Sequence, residues 1–319
     1  HRTKPMMNAL PPLVAIMGPT SSGKTATALR VARALHGEVV NADARQLYHG
    51  APIGTAIPKG AYEQVDGERV YMVEGIPHHL LGVCDPAEPW SVAAWLAQAR
   101  SVIERIHARG CVPVVVGGTG LYVRALTEGF VFDAAPPDPA IRARVLAMSF
   151  DEQRSWLANE GVEIDEQTRM NPYRVQRMVE RLLTGPSNKT GQQLPSWDVC
   201  KVGILRSSDE QRARIAEAVR TQLEGGWIEE VQALMQQGVD AHAPLLTIIG
   251  FRSIVSWLQQ KERTSLKELE ETIVHETWQY ARRQRTWIRH EPRCTLVQDE
   301  QEATQYVEAW AQSRGILSA

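Results

Sequence analysis

The sequence has few cysteines and no long apolar run. Its four cysteines, Cys84, Cys111, Cys200 and Cys294, stand far apart, and none forms a C-x-x-C pair. This spacing argues against a disulfide scaffold or a zinc finger, and it predicts a reducing, cytoplasmic compartment. Apolar stretches fall short of the roughly 20 residues that a membrane helix needs. Residues 1–7 are polar and lack the apolar core of a secretion signal. We therefore expect no leader and no membrane partner.

The chain also has little net charge. Its formal charge is −2, so nothing in the total favours nucleic acid, and any such site must be a local patch. The hydrophobic share of 43% and the charged share of 23% are ordinary for a globular protein. At 319 residues the chain exceeds one average domain, which predicts one large domain and a smaller one.

The most informative segment begins with the apolar run Leu13–Met17, which is typical of a parallel strand buried on both faces. The sequence GPTSSGKT follows, fits G-x-x-x-x-G-K-[ST], and leads into an amphipathic helix. The free N–H groups at the start of such a helix bind anions. Lys24 would add a point charge, and the Thr25 hydroxyl could ligate a Mg²⁺ ion held by a diphosphate. The predicted diphosphate site consists of Gly18, Pro19, Thr20, Ser21, Ser22, Gly23, Lys24 and Thr25.

Short apolar strands alternate with helices along the rest of the first half. Further strands are predicted at 38–43, 112–116 and 199–205, and Ser91 is a good N-cap for the helix between two of them. The pattern favours an α/β fold, a P-loop NTPase-like parallel sheet flanked by helices on both faces. Residues 50–85 are interpreted as loop with short strand pieces. Because ligands bind at the carboxyl ends of such strands, we expect the glycine-rich loop, Asp43 and residues 117–119 around one crevice.

The composition of the sequence changes after Asp133, where a stretch rich in Ala and Pro is followed by a polar segment. A linker is predicted at 134–140, and residues 133–196 are interpreted as an inserted helical subdomain that binds RNA. Residues 8–132 and 197–319 then form the catalytic core. Helices predicted at 208–237, 248–260 and 264–290 make its C-terminal region helical.

Two residues beside the predicted diphosphate could take part in chemistry. Asp43 could be a general base for an incoming nucleophile, or only the N-cap of a helix starting near Arg45. Thr20 could reach a bridging phosphate oxygen, or only fill the loop. The strand at 112–116 ends in glycines and not in the second acid that commonly helps ATPases to hold their metal. This departure favours an enzyme for which diphosphate is the leaving group.

The densest cationic stretch is YARRQRTWIRH at 280–290. On a helix Arg282, Arg285 and Arg289 share one face, and their interleaving with Tyr280 and Trp287 suits phosphate contacts and base stacking. The alternative is a solvated helix end. Arg174, Arg177 and Arg181 form a second ridge on the inserted subdomain. Two such ridges predict a folded RNA held from two sides.

These motifs together resemble the tRNA dimethylallyltransferases of bacterial type. The segments that carry the resemblance are GPTSSGKT, NADARQLY with IGTA after it, VVVGGTGLY, NPYRVQR, IIGFR and YARRQRTWIR. The family transfers the dimethylallyl group of dimethylallyl diphosphate to the exocyclic amine of the adenosine 3′ of the anticodon. The resemblance therefore implies tRNA and dimethylallyl diphosphate as partners and Mg²⁺ as cofactor, and we expect a monomer.

The resemblance also implies roles for individual residues. Asp43, Thr20 and Lys24 would be catalytic, with Asp43 accepting the amine proton, and Thr25 would hold the metal. The residues that match tRNA-binding positions are Asp43, Ala44, Arg45, Gln46, Thr119, Arg142, Tyr173, Arg174, Val175, Gln176, Arg177, Thr247, Ile248, Ile249, Gly250, Phe251, Arg252, Arg282, Arg283, Gln284, Arg285, Thr286, Trp287, Ile288 and Arg289.

Three positions depart from the family pattern. Ala44 and Asn171 stand where the family has Ser and Asp, and Ala218 aligns with an arginine that contacts the diphosphate. Arg214 or Arg220 could compensate for Ala218. The departures keep a non-catalytic RNA-binding protein open as a second interpretation. An adenylate isopentenyltransferase that makes cytokinin and a small-molecule kinase also stay open.

Overall fold

The computed structural model describes residues 10–65, 67–129, 138–162, 164, 166–184, 196–261 and 264–317. The chain divides into two compact units. The core unit comprises His1–Phe130 with Pro195–Ala319, and the helical unit comprises Val131–Leu194. Most of the linker predicted at 134–140 lies outside the described residues. Within those residues, no helix is long and apolar enough to cross a membrane.

In the described part of the core unit, eight strands form one sheet. They are β1 (Pro12–Met17), β2 (Gly37–Asn41), β3 (Ala61–Val65), β4 (Glu68–Val73), β5 (Ile76–His79), β6 (Val112–Gly117), β7 (Asp198–Ile204) and β8 (Thr295–Val297). Their order across the sheet is β3-β4-β5-β2-β6-β1-β7-β8. The strands from β5 to β8 in this order pair in parallel. The α/β fold with strands returning near residue 199 is therefore confirmed.

One edge of the sheet is antiparallel, which the sequence pattern did not specify. β3 pairs antiparallel with β4, and β4 pairs antiparallel with β5. The turn between β4 and β5 consists of Glu74 and Gly75, which both have positive φ, at 49° and 76°. Two residues of this conformation match the twist of an antiparallel hairpin and leave no room for a crossover helix. The region interpreted as mostly loop thus widens the sheet.

Helices cover both faces of the sheet. The core unit contains α1 (Lys24–Ala34), α2 (Val92–Ala108), α3 (Gly120–Thr127), α8 (Ser208–Glu224), α9 (Trp227–Gln236), α10 (Phe251–Gln259), α11 (Leu266–Arg289) and α12 (Glu300–Ser313). Alternate residues of β1 point to opposite faces. Val14 and Ile16 pack in a cluster with α1 and α12, while α2 and α3 pack on the other side. The core is therefore a three-layer arrangement in which the sheet is the middle layer.

The helical unit has a small apolar core of its own. Its helices are α4 (Pro139–Leu146), α5 (Phe150–Asn159), α6 (Glu166–Arg169) and α7 (Pro172–Thr184). Val145, Leu157, Val175 and Val179 are buried against one another. The side-chain oxygen of Asn171 accepts a hydrogen bond from the N–H of Arg174 at 3.1 Å. Asn and Asp cap a helix about equally well, so the departure at Asn171 keeps the start of α7 intact.

Candidate active site

The loop from Gly18 to Gly23 connects β1 to α1. Gly23 adopts φ 94°, and a Cβ at this position would overlap the carboxylate of Glu300. In the described structure no side chain caps the start of α1, so its first N–H groups remain available. A strand, a tight glycine loop and an uncapped helix start together form the anion-binding geometry that the motif predicts.

A cavity of about 190 Å³ lies beside this loop. Its polar lining includes the loop residues 20–25 with Asp43, Arg45 and Gln46. Its apolar lining includes Ile215, Ala218, Val219 and Trp227, which come from α8 and the start of α9. The cavity thus combines charged and apolar surface, which suits a ligand of the same mixed character.

Lys24 and Arg45 are the cations of the cavity lining. Burial lowers the pKa of Lys24, and the nearby charge of Asp43 opposes that shift. The Lys24 Nζ donates to the carbonyl of Pro19 at 3.3 Å. A buried ammonium with so few partners is poorly compensated, so an anion in the cavity would be bound favourably.

Three buried polar atoms around the cavity have no hydrogen-bond partner in the described part of the structure. They are the Oγ of Ser22, the Nε of Arg45 and the Nε1 of Trp227. Buried polar groups are nearly always paired in native proteins. Their clustering at one cavity is typical of a place where a polar ligand binds.

Asp43 lines the cavity and also caps the short 3-10 helix at Ala44–Leu47. Its Oδ1 accepts a hydrogen bond from the N–H of Arg45 at 3.0 Å. The Oδ1 of Asn41 accepts from the N–H of Asp43 at 3.0 Å, which fixes the backbone on the other side. The N-cap alternative is therefore realised, but it occupies one carboxylate oxygen and leaves the residue facing the cavity. Both predicted roles fit the geometry.

Residues 117–119 lie next to the backbone of residues 42–44, as the strand order predicts. The Oγ1 of Thr119 accepts a hydrogen bond from the N–H of Ala44 at 2.9 Å. A Cβ at Gly117 would overlap the backbone of Ala42. The small residues at the end of β6 thus allow two loops to touch. The glycine-rich loop and Asp43 line one cavity, as predicted, whereas residues 117–119 are not among its lining residues.

The IGTA segment, Ile53–Ala56, contributes Gly54, Thr55 and Ala56 to a further wall of the cavity, although no role was predicted for these residues. The carboxylate of Glu230 accepts from the N–H groups of Ile53 and Gly54, both at 2.8 Å. Burial raises the pKa of Glu230, although these two hydrogen bonds oppose the shift. Arg45 and Gln222 donate to the carbonyl of Gly54. Such long-range contacts leave no local signal in the sequence.

Trp227 connects this wall to the IIGFR segment. Its ring fills the space over two glycines, because a Cβ at Gly54 would overlap the indole nitrogen and one at Gly250 would overlap the six-membered ring. Phe251 packs edge-on against the same ring at 5.5 Å between centroids. Gly250 and Phe251 are buried, so the Phe251 side chain cannot make its predicted contact with tRNA. Of the other predicted contacts in this segment, Thr247 and Arg252 are exposed, and Ile248 and Ile249 are half-buried.

Helix α11 divides the predicted cationic stretch between two environments. Arg282, Arg283, Thr286 and Arg289 are exposed. Gln284, Arg285 and Ile288 are buried, which contradicts their predicted direct contact with tRNA. The Nη1 of Arg285 donates to the carbonyl of Arg206 at 2.7 Å. Trp287 packs over Gly120 and under the guanidinium of Arg124, so its ring is already stacked within the protein.

The predicted RNA-binding residues of the helical unit also differ in exposure. Tyr173 and Arg174 are exposed. Val175 is buried in the core of that unit, so its predicted contact with tRNA was wrong. Arg142, Gln176 and Arg177 all donate to the buried carboxylate of Glu180. The three side chains are half-buried, and Glu180 fixes their positions. The side chain of Arg181 lies outside the described residues.

Ala218 lines the cavity where the family resemblance would place an arginine. Arg214 forms ion pairs with Glu210 and Glu300. Arg220 forms ion pairs with Glu217 and Glu270. Neither arginine is among the lining residues, so the proposed compensation by one of them is not supported by the geometry.

Comparison with known proteins identifies the family of this chain. The model of the IPP transferase family matches residues 46–291. The chain is 41% identical over 291 residues to a tRNA dimethylallyltransferase of Thermomicrobium roseum, an alignment that covers 89% of this chain and 85% of that protein. The chain belongs to the IPP transferase family.

Solved structures of similar proteins share the fold. The full-length tRNA isopentenylpyrophosphate transferase of Bacillus halodurans matches with a TM-score of 0.67 at 28% identity, covering 95% of this chain and 97% of that one. A eukaryotic dimethylallyltransferase, crystallised in snapshots of its action on tRNA, matches with a TM-score of 0.73 at 23% identity. That match covers 97% of this chain and 81% of the other, and at this identity it concerns the fold alone.

Proposed function

We propose that this member of the IPP transferase family transfers the dimethylallyl group of dimethylallyl diphosphate to the exocyclic amine of the adenosine 3′ of the anticodon in tRNA. The observation that carries the proposal is the cavity in which an anion site, an apolar wall and a carboxylate meet. Transfer from a prenyl diphosphate requires the same three features: an anion site for the head group, apolar contact for the tail and a base for the attacking amine.

The glycine-rich loop would bind the diphosphate. Its N–H groups, the uncapped start of α1 and the buried ammonium of Lys24 supply positive charge where the leaving group accumulates negative charge. The dimethylallyl group would lie against Ile215, Val219 and Trp227. Because Ala218 contributes no charge, Lys24 and Arg45 are the cavity cations to which the diphosphate would bind.

The donor set also fits Mg²⁺ bound together with a diphosphate. The described residues contain no cluster of three or more acidic, His or Cys side chains that could cage a metal. Mg²⁺ commonly uses one or two protein oxygens and takes its other ligands from phosphate and water. Thr25 at the start of α1 would be the protein ligand. When bound, the ion would neutralise charge on the diphosphate.

The chemistry at Asp43 would be proton acceptance. The adenosine amine attacks the allylic carbon, the carbon–oxygen bond to diphosphate breaks, and the amine proton passes to the carboxylate. Thr20 lines the cavity on the loop side and would hydrogen-bond the donor. Since diphosphate is a good leaving group, we expect the cations to contribute more to the rate than the base does.

Exposed arginines would hold the tRNA. On α11 they are Arg282, Arg283 and Arg289, and on α7 the exposed residues among the predicted contacts are Tyr173 and Arg174. Guanidinium groups bind phosphates, and an exposed tyrosine can stack on an unpaired base. The exposed face of α11 and that of α7 each offer groups that can bind RNA.

Incubation with labelled dimethylallyl diphosphate and either tRNA or AMP tests the proposal. We expect label in tRNA, a mass gain of one dimethylallyl group on adenosine, and release of diphosphate. Transfer to AMP alone would identify a cytokinin-forming enzyme, and ADP release from ATP would identify a kinase. Binding of tRNA without transfer would overturn the proposed activity.

A further inference from the structure

Gln284 is a buried polar residue in the middle of the cationic stretch of α11. It is 6% exposed. Its Oε1 accepts a hydrogen bond from the N–H of Thr20 at 3.0 Å. Its Nε2 donates to the carbonyl of Gly118 at 3.0 Å. Both ends of the amide therefore have a partner of the correct kind, since a backbone N–H needs an acceptor and a carbonyl needs a donor.

The contact with Gly118 depends on the absence of a side chain. A Cβ at Gly118 would overlap the amide nitrogen of Gln284. The amide thus fits between the glycine-rich loop and the turn after β6. It joins α11 to the glycine-rich loop and to the turn after β6.

Other side chains hold the same loop from outside the cavity. The Nε2 of Gln211 donates to the carbonyl of Thr20, so the backbone of Thr20 is held on both its N–H and its carbonyl side. The Nε of Arg206 donates to the carbonyl of Ser22 at 3.0 Å. Arg285 in turn donates to the carbonyl of Arg206. Neighbouring residues of α11 therefore support the loop by two routes, one direct and one through Arg206.

We propose that Gln284 is a positioning residue for the glycine-rich loop and not a contact with tRNA. The proposal rests on the proposed function, because it assigns the loop to the diphosphate of the donor. A phosphate cradle works only if its donors are held close to their productive positions. Gln284 fixes Thr20 within that cradle, and Thr20 lines the cavity from the loop side. The residue acts on the donor through Thr20 and is not itself catalytic.

The two roles predict opposite binding defects. A tRNA contact would weaken tRNA and leave the diphosphate site unchanged. A support of the loop would weaken the diphosphate and leave tRNA unchanged, because the outward arginines of α11 stay in place. Q284M keeps the length and helix preference of the side chain but removes both hydrogen bonds. The matched control is Q279M, on the same helix, where the amide contacts Arg282.

Titration calorimetry with inorganic pyrophosphate and Mg²⁺, and filter binding with tRNA, give the two affinities. For Q284M we expect a pyrophosphate Kd about tenfold higher, a tRNA Kd within about twofold of the unaltered protein, and a raised KM for dimethylallyl diphosphate. Q279M should match the unaltered protein in pyrophosphate binding. Weaker tRNA binding with unchanged pyrophosphate binding in Q284M would overturn the proposal, as would no change in either.

Two further variants keep the test decisive if Q284M fails to fold. Q284E retains the acceptor for the Thr20 N–H but loses the donor to Gly118, and Q211M removes the contact to the other side of Thr20. Each should also raise the pyrophosphate Kd with tRNA affinity unchanged, and failure of both to do so would overturn the proposal. If the unaltered protein binds no pyrophosphate, the proposed function fails and this inference with it. If it binds pyrophosphate and the variants bind equally well, this inference alone fails.

Discussion

The Oγ1 of Thr119 lies 2.9 Å from the backbone nitrogen of Ala44 and accepts its hydrogen bond. This contact joins the turn after β6 to the turn after β2, one residue beyond Asp43. The position of the carboxylate therefore depends on a hydrogen bond between residues that are 75 positions apart in sequence. Thr119 was predicted to contact tRNA, and its hydroxyl oxygen accepts a hydrogen bond within the protein.

Replacement of Thr119 tests this dependence. T119V keeps the shape and removes the acceptor, which leaves the Ala44 N–H without a partner at a cost of about 1–3 kcal/mol. We expect kcat for prenyl transfer to fall about five- to tenfold with tRNA affinity unchanged. T119S retains the hydroxyl and should restore most of the rate. Equal loss in both variants would mean that the methyl group, and not the hydrogen bond, matters.

The D43N variant separates the proposed role of Asp43 as a base from its role as a helix cap. Asparagine caps a helix as well as aspartate does, so the 3-10 helix and the Arg45 contact should survive. The amide cannot accept the amine proton, and we expect the single-turnover rate to fall by about 100-fold or more with little change in tRNA affinity. The matched control is D299N, at the cap of α12 and outside the cavity lining. Tm measurements should show both variants close to the unaltered protein.

The exposed and buried arginines of α11 should behave differently. R282A and R289A remove exposed cations, so each should weaken tRNA binding and lower the slope of log K against log salt by about one unit. R285A removes a buried donor to Arg206 and should instead lower the free energy of unfolding by about 1–3 kcal/mol. R30A, on the exposed side of α1, is the control for loss of charge alone. An unchanged slope for R282A and R289A would remove them from the interface.

The packing of Trp227 predicts a steric defect at Gly54. A Cβ there would overlap the indole nitrogen, and we expect G54A to lower the free energy of unfolding by about 1–3 kcal/mol and to weaken pyrophosphate binding. Gly54 does not have a positive φ, so a loss of stability in G54A reports the clash alone. Gly238 has φ 91° and open space around it, so G238A measures backbone strain without a clash. Urea titration of the two variants separates the causes. If G54A is as stable as the unaltered protein, the ring has room to move.

An acid-sensitive contact lies far from the cavity, at Glu38. Burial would raise the pKa of this carboxyl, but hydrogen bonds from His79 and Arg109 and their charges outweigh it and lower the pKa to about 2. The folded pKa lies below the unfolded one, so this contribution is complete above about pH 4.5 and is lost as the pH falls towards 2. We expect E38Q to be less stable by about 2–3 kcal/mol at pH 7, with the difference shrinking below about pH 4.5. Urea denaturation at several pH values checks this, and a constant difference would contradict it.

Local patterns were sufficient for most of the fold. The strand, loop and helix from Pro12 to Ala34 follow from an apolar run, glycine spacing and helical periodicity. Short strand pieces were predicted at 50–85, but not their pairing into a hairpin at 61–73, because most of its residues are exposed and lack apolar alternation. β3 pairs with β4, and β4 pairs with β5. The stripe of Ala303, Val307, Trp310 and Ala311 does mark α12, so that helix could have been predicted.

The polar half of the site was predictable and the apolar half was not. Motifs locate the glycine-rich loop and Asp43 because their chemistry depends on short-range spacing. Ile215, Val219 and Glu230 reach the cavity and its walls through helix packing, which no motif encodes. The burial of Arg285 was missed because arginine is rarely buried. The positions of Thr277, Ala281 and Ile288 on the same face of α11 were the available signal.

Neighbouring residues of α11 face opposite ways, so the function of this helix depends on the rotation of its side chains about the helix axis. An α-helix turns by about 100° for each residue. One residue inserted ahead of Tyr280 would swing the Gln284 amide away from Thr20 and turn an outward guanidinium towards the loop. Deletion or insertion of single residues in this segment should therefore be far less tolerated than substitution on its solvent side, and recombination between relatives should preserve the spacing from Thr277 to Ile288.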